Sequence, residues 1–207
     1  MATTTTEDLA GLRLVHPARR PKLVGDCTLG MLLFLFVEVM LFAGLISALT
    51  IVKAVDSEKW LEAVLAQPRL PVRATAINSV ALLLSGLVQY RSWLAFNKEE
   101  FAAAGKLLLV TMLLGVCFVA FQGYEWVGLI DQGLSLRSTG LAPTGAFFYL
   151  IVGCHGLHAL AALGALAYTA MRLRKGTLSK DAFGAAALFW YFVVLVWPIL
   201  YFLVYLK

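Results

Sequence analysis

Four side chains in this sequence could do chemistry from places where chemistry is costly. Glu38 stands alone in the run Cys27 to Val52, which carries no other charge. His155 and His158 sit three residues apart in Ser138 to Met171, a run with no charge at neutral pH. Glu125 follows Gln122 near the end of a third apolar stretch. A carboxyl group and two imidazoles in such surroundings can hold, share or pass a proton, and imidazoles can also ligate a metal. Glu38 lies twelve residues past Asp26, about 18 Å along a helix. A charge at that depth costs on the order of 3 kcal/mol, so it must be neutralised or partnered. His155 lies twelve residues past Pro143 on a run entering from the other side, at a similar depth. The expected partner of Glu38 is therefore His155, with a shared hydrogen bond. A bis-histidine haem is disfavoured, because two residues three apart on one helix share a face and cannot clamp an iron from both sides. The third histidine, His16, is in the polar N-terminal stretch.

The elements that must position these groups follow from composition. Apolar residues make up 61% of the 207 and charged ones 14%, which leaves too little polar cover for a soluble domain. Ala74–Tyr90, Leu107–Tyr124 and Ala182–Leu206 are further charge-free runs, giving five in all. A crossing needs about 20 apolar residues. The fold class is all-α, an integral membrane bundle of five transmembrane helices near 27–52, 73–95, 101–126, 143–171 and 181–206. The second run is the shortest and extends to Trp93 only by letting Arg91 snorkel. Residues 1–25 form a cytoplasmic leader, with His16-Pro17 and Arg20-Pro21 breaking any helix, and 26–206 form the membrane domain. The leader holds no apolar signal-peptide core. A short amphipathic helix is expected over 57–67, with Pro68 and Pro71 ending it.

Eleven of the seventeen Lys and Arg residues fall on the side of the N-terminus and six on the other. By the positive-inside rule the N-terminus is cytoplasmic and the C-terminus outside. The basic residues flank apolar runs, so lipid headgroups and not nucleic acid are their partners. Small residues such as Ala81, Ser85, Gly153, Gly156 and Gly184 allow close helix packing. Asn78 and Gln89 are expected to be interhelical glue. Pro198 should perturb the last helix. Cys27, Cys117 and Cys154 have neither disulfide-framework nor zinc spacing and read as packing thiols. Glu125 is expected at the outer interface, where it either caps a solvated end or meets a lipid headgroup. No phosphate-binding loop, zinc-protease motif or charge ring is present.

Four stretches give these residues a family setting. They are LGMLLFLFVEVMLFAGL at 29–45, LLGVCFVAFQGYEW at 113–126, GCHGLHALAALGAL at 153–166 and FWYFVVLVWPILYFLVYL at 189–206. The buried glutamate with the H-G-L-H core resembles subunit III of the haem-copper cytochrome c oxidases, in its five-helix form. The resemblance implies an accessory subunit of a bacterial inner-membrane terminal oxidase, with haem and copper held by partner subunits and none in this chain. It implies direct contact with subunit I, association with subunit II, bound phospholipid, and support of proton uptake during O2 reduction. Glu38, His155 and His158 correspond to the family's buried glutamate and histidine pair. Gln122, Glu125, Trp126, Trp190 and Trp197 fall on lipid or interface positions, and no metal or catalytic residue is implied. Three polar positions of the family's last helix are replaced here by Gly184, Tyr191 and Val194. That departure leaves a nitric oxide reductase accessory protein as an alternative, and a standalone proton-coupled transporter as a different class.

Overall fold

A computed structural model describes residues 25–55, 57–58, 72–131 and 144–206. The leader before Gly25, the short helix beyond Glu58 and residues 132–143 of the third link lie outside the described residues. Each apolar run becomes a long helix: α1 (Asp26–Val55), α2 (Val72–Asn97), α3 (Phe101–Asp131), α4 (Thr144–Arg174) and α5 (Lys180–Leu200). The helices run a few residues beyond the apolar stretches, since charged residues such as Lys53, Asp131 and Arg174 can complete a last turn in water or headgroups. α5 passes into a π-helical turn, Tyr201–Leu206. Pro198 lies just before that change; it has no N–H, and the Tyr201 N–H reaches back to the carbonyls of Trp197 and Pro198.

α5 is the central post. It packs against α1, α2 and α4, while α2 and α3 form the most intimate pair and α3 also meets α4. Eleven residues of α5 are buried, including Trp190 and Trp197 with no exposed surface. α1 is peripheral and buries only Phe42 and Leu49.

The molecule is an all-α, multi-pass membrane bundle. Four of its helical segments are long and apolar enough to cross a bilayer: Asp26–Val55, Phe101–Asp131, Tyr149–Arg174 and Lys180–Leu203. α2 falls short because it carries Thr75, Asn78, Ser85, Gln89 and Ser92, all buried against its neighbours. Its polarity is turned inward. Asn78 Nδ2 donates to the Phe118 carbonyl at 3.1 Å and Ser92 Oγ to the Ala104 carbonyl at 2.8 Å, both on α3. Gln89 departs from the expected glue role: its amide is buried and makes no hydrogen bond among the described residues.

Two short turns set antiparallel neighbours. After α2 the Glu99 and Glu100 N–H groups return to the Phe96 and Ala95 carbonyls, with Glu99 at φ +65°. After α4 the Gly176 and Thr177 N–H groups return to Leu173 and Arg172, with Gly176 at φ +65°. This is the same left-handed helix stop twice, once with glycine and once without.

Candidate functional site

Glu38 on α1 and His158 on α4 meet inside the bundle. Glu38 Oε2 lies 2.8 Å from His158 Nε2, and each side chain is 13% exposed. The other ring nitrogen, Nδ1, is 2.7 Å from the carbonyl of Cys154 on its own helix. A carbonyl only accepts, so Nδ1 carries a proton and donates. The short Nε2 to Oε2 contact then needs a second proton between them. The pair is either a protonated acid beside a neutral imidazole or a carboxylate beside an imidazolium. Its net charge is zero in both, which satisfies the low-dielectric setting. Neither nitrogen of His158 has a lone pair left for a metal. Phe42 lies one turn from Glu38, and Phe42, Phe192 and Phe189 surround the imidazole with centroids at 5.5, 6.0 and 6.4 Å.

The expected Glu38 to His155 contact is therefore corrected to Glu38 and His158. His155 is 1% exposed and lies one turn nearer the N-terminus of α4. Its ring is tilted 30° to Trp197 at 5.1 Å and edges on Phe42 at 6.4 Å. Its two nitrogens have no hydrogen-bond partner among the described residues. It forms part of the wall of a cavity of about 150 Å³ between α3 and α4, together with Phe118, Gln122, Trp126 and Trp197. The Trp126 ring edge lies over Gly153 and Gly156, 3.9 and 3.6 Å from where a Cβ would stand.

Glu125 and Gln122 are likewise internal, at 8% and 5% exposure. Glu125 is neither a solvated cap nor open to a headgroup. Thr75 Oγ1 donates to its Oε2 at 2.8 Å and Gln122 Nε2 to the same atom at 3.3 Å, joining α2 to α3. Trp190 and Trp197 are also inside the bundle, not on a lipid-facing position. The Trp197 indole N–H donates to Ser79 Oγ at 2.7 Å and that of Trp190 to Ser85 Oγ at 3.2 Å. The two tryptophans are seven residues apart on α5, so they project from one stripe and pin it to α2. Gly115 on α3 makes room, since a Cβ there would stand 2.5 Å from Trp190 Cη2 and 2.9 Å from Leu163 Cδ2.

One polar contact escaped the sequence reading. Asp181, in the first turn of α5, accepts hydrogen bonds from the backbone N–H groups of Cys27 and Thr28 at 2.9 and 3.0 Å, and from Thr28 Oγ1. It caps the N-terminus of α1 from another helix, 153 residues away in sequence. Gly25 permits the approach, because a Cβ there would fall 2.1 Å from the Asp181 carboxyl. Asp26 stands where a local cap is expected and hides the remote one.

Geometry thus defines a class: a helical membrane bundle with one buried acid–imidazole pair and, among the described residues, no group of three or more His, Cys, Asp or Glu able to hold a metal ion. Residues 17–207 match the family model described as cytochrome c oxidase subunit III. A probable cytochrome c oxidase subunit 3 of Nocardia farcinica is 30% identical over 187 residues, covering 88% of this chain and 87% of the relative. A cytochrome c oxidase subunit 3 of Synechocystis sp. is 34% identical over 181 residues, covering 86% and 74%. One of Corynebacterium diphtheriae is 28% identical over 209 residues, covering 96% and 95%. The chain belongs to the cytochrome c oxidase subunit III family, with a five-helix architecture.

Proposed function

We propose that this protein is an accessory, non-catalytic subunit of a cytochrome c oxidase complex, supporting O2 reduction without a redox centre of its own. The observation that carries the reading is the family match over residues 17–207. All five helices cross a bacterial inner membrane, α2 included, because its polar groups are covered by α3 and α5 and its apolar residues Ile77, Val80, Leu84 and Leu87 face outward. The excess of basic residues on the N-terminal side supports a cytoplasmic N-terminus and an outside C-terminus.

The partner is subunit I, with subunit II in the same assembly. α1 supports a docking face: Leu33, Phe36 and Met40 are 63%, 68% and 61% exposed on a helix whose main packing among the described residues is against α5 and, lightly, α4. Glu38 and His158 behind that face support proton uptake, sharing one mobile proton in a neutral pair. His155 serves their packing. Phospholipid fits the groove between α1, α4 and α5, where Arg172 and Tyr168 lie beside Cys27 and Met31.

Purification of the tagged chain from its native membrane tests this reading. Co-purification with a haem-copper subunit and a copper-bearing subunit supports it. Isolation of the chain without such partners overturns it. Glu38→Gln keeps the hydrogen bond to His158 and removes the transferable proton, so complex yield should stay; sustained turnover falls if the acid handles protons and is unchanged if it only holds helices together.

A further inference from the structure

The groove between the start of α3 and the end of α4 is built for an anionic amphiphile. Its volume is about 600 Å³, and its floor is made by Ala102, Gly105, Ala167 and Ala170. Small residues at four facing positions keep the two helices from filling the space between them. Leu109 and Met112 continue the wall toward the membrane interior, six residues or about 9 Å beyond Lys106. Lys106 and Arg174 stand at the opposite end, one from each helix.

These two cations are unspent. Both are exposed, and neither makes an ion pair or side-chain hydrogen bond among the described residues. Arg172, two residues earlier, is by contrast tied to the Tyr168 hydroxyl at 2.9 Å and the Thr177 carbonyl at 2.7 Å. Among the described residues no acidic residue lines the groove; Glu99 and Glu100 lie in the turn before it. An apolar slot leading to two unpaired cations complements an acyl chain ending in a phosphate diester.

We infer that this groove binds one anionic phospholipid, its phosphate between Lys106 and Arg174 and an acyl chain along Leu109, Met112, Ala170 and Ala167. The site lies on a different face from the groove beside α1 and depends only on the chain crossing a membrane. It does not rest on the accessory-subunit reading. A free phosphate would leave the apolar slot empty, and a zwitterionic headgroup would set its own cation against these two.

The purified complex, exchanged into nanodiscs of phosphatidylcholine with and without phosphatidylglycerol, provides the test. Native mass spectrometry then counts each lipid retained on this chain. Retained phosphatidylglycerol should fall about fivefold for each charge removed in K106Q and R174Q, and further in the double variant. K175Q makes the same change in net charge outside the groove and should retain lipid like the parent. A167F fills the interior part of the slot from a half-buried position and should lose phosphatidylglycerol with both cations in place. Inorganic phosphate should not displace the lipid. Equal retention in the parent, the double variant and A167F overturns the inference. So does equal loss in K175Q, retention of phosphatidylcholine at the same level, or displacement by inorganic phosphate. Lipid retention with no oxidase partner would leave this site standing while removing the proposed function.

Discussion

Removing either member of the Glu38 and His158 pair should weaken the bundle by an amount that depends on the other. Their contact joins α1 to α4 across 2.8 Å, and both side chains are largely out of contact with the surroundings. Interhelical hydrogen bonds in membranes are worth about 0.6 kcal/mol on average and up to about 1.7. Leaving one buried partner without a bond adds a desolvation penalty of about 1–3 kcal/mol. Glu38→Leu strands His158 Nε2, and His158→Leu strands the carboxyl. Each should cost about 2–5 kcal/mol, whereas the double variant strands neither and should cost less than their sum by at least the bond itself, about 0.6–1.7 kcal/mol. Glu38→Gln is the informative single change. Its amide can donate to Nε2 while Nδ1 still donates to Cys154, so the bond survives and the cost should stay below about 0.5 kcal/mol. The assay is SDS titration of the assembled complex, followed by helix content and by release of this chain. Strict additivity of the two leucine variants would refute the coupling. A Glu38→Gln loss equal to that of Glu38→Leu would refute the proton assignment derived from the Cys154 carbonyl.

Other parts of the bundle make their own predictions. Gly115→Ala forces a Cβ to within 2.5 Å of the buried Trp190 ring and should cost about 1–3 kcal/mol in the same titration, whereas Gly164→Ala meets open space and should be silent. Asp181→Ala should speed amide exchange at Cys27 and Thr28 without melting α5, and Gly25→Ala should do the same by pushing the carboxylate away. Glu99→Gly relieves a left-handed residue and should stabilise the chain by up to about 1 kcal/mol, while Gly176→Ala should destabilise it by about 1–2 kcal/mol. Unchanged unfolding midpoints for both would remove the strain argument.

Helix existence was legible because the membrane demands long apolar runs, and five of them are plain in the residues. Their ends came within a few positions, since a polar residue marks where the bilayer stops but not where the last turn closes. α2 was the hard case. Its serines, Thr75 and Gln89 lower its hydropathy, and only the bundle reveals that they point inward. The buried acid and the histidine pair were legible as anomalies of type and depth. Which histidine meets Glu38 was not, because counting residues along a helix gives depth and says nothing about azimuth. His155 and His158 differ by only about 4.5 Å in rise, and the rotation of α4 decides between them. The inward turn of Trp190, Trp197 and Glu125 was hidden for the same reason. A tryptophan or a glutamate in an apolar run resembles a lipid-facing or interface residue until a neighbouring helix supplies Ser79, Ser85 or Thr75 as a partner. Asp181 was invisible because its cap serves a helix at the far end of the chain.

That remote cap has a consequence for how the protein is made. The earliest of these five helices is finished by the fifth: until α5 arrives, the leading amides of α1 lack the carboxylate that closes them. A chain halted before α5 carries an open end in its oldest segment, together with a Glu38 whose surroundings lack Phe189 and Phe192. Closure of α1 thus waits on α5, and a copy lacking α5 differs from one that has it by free amides at Cys27 and Thr28.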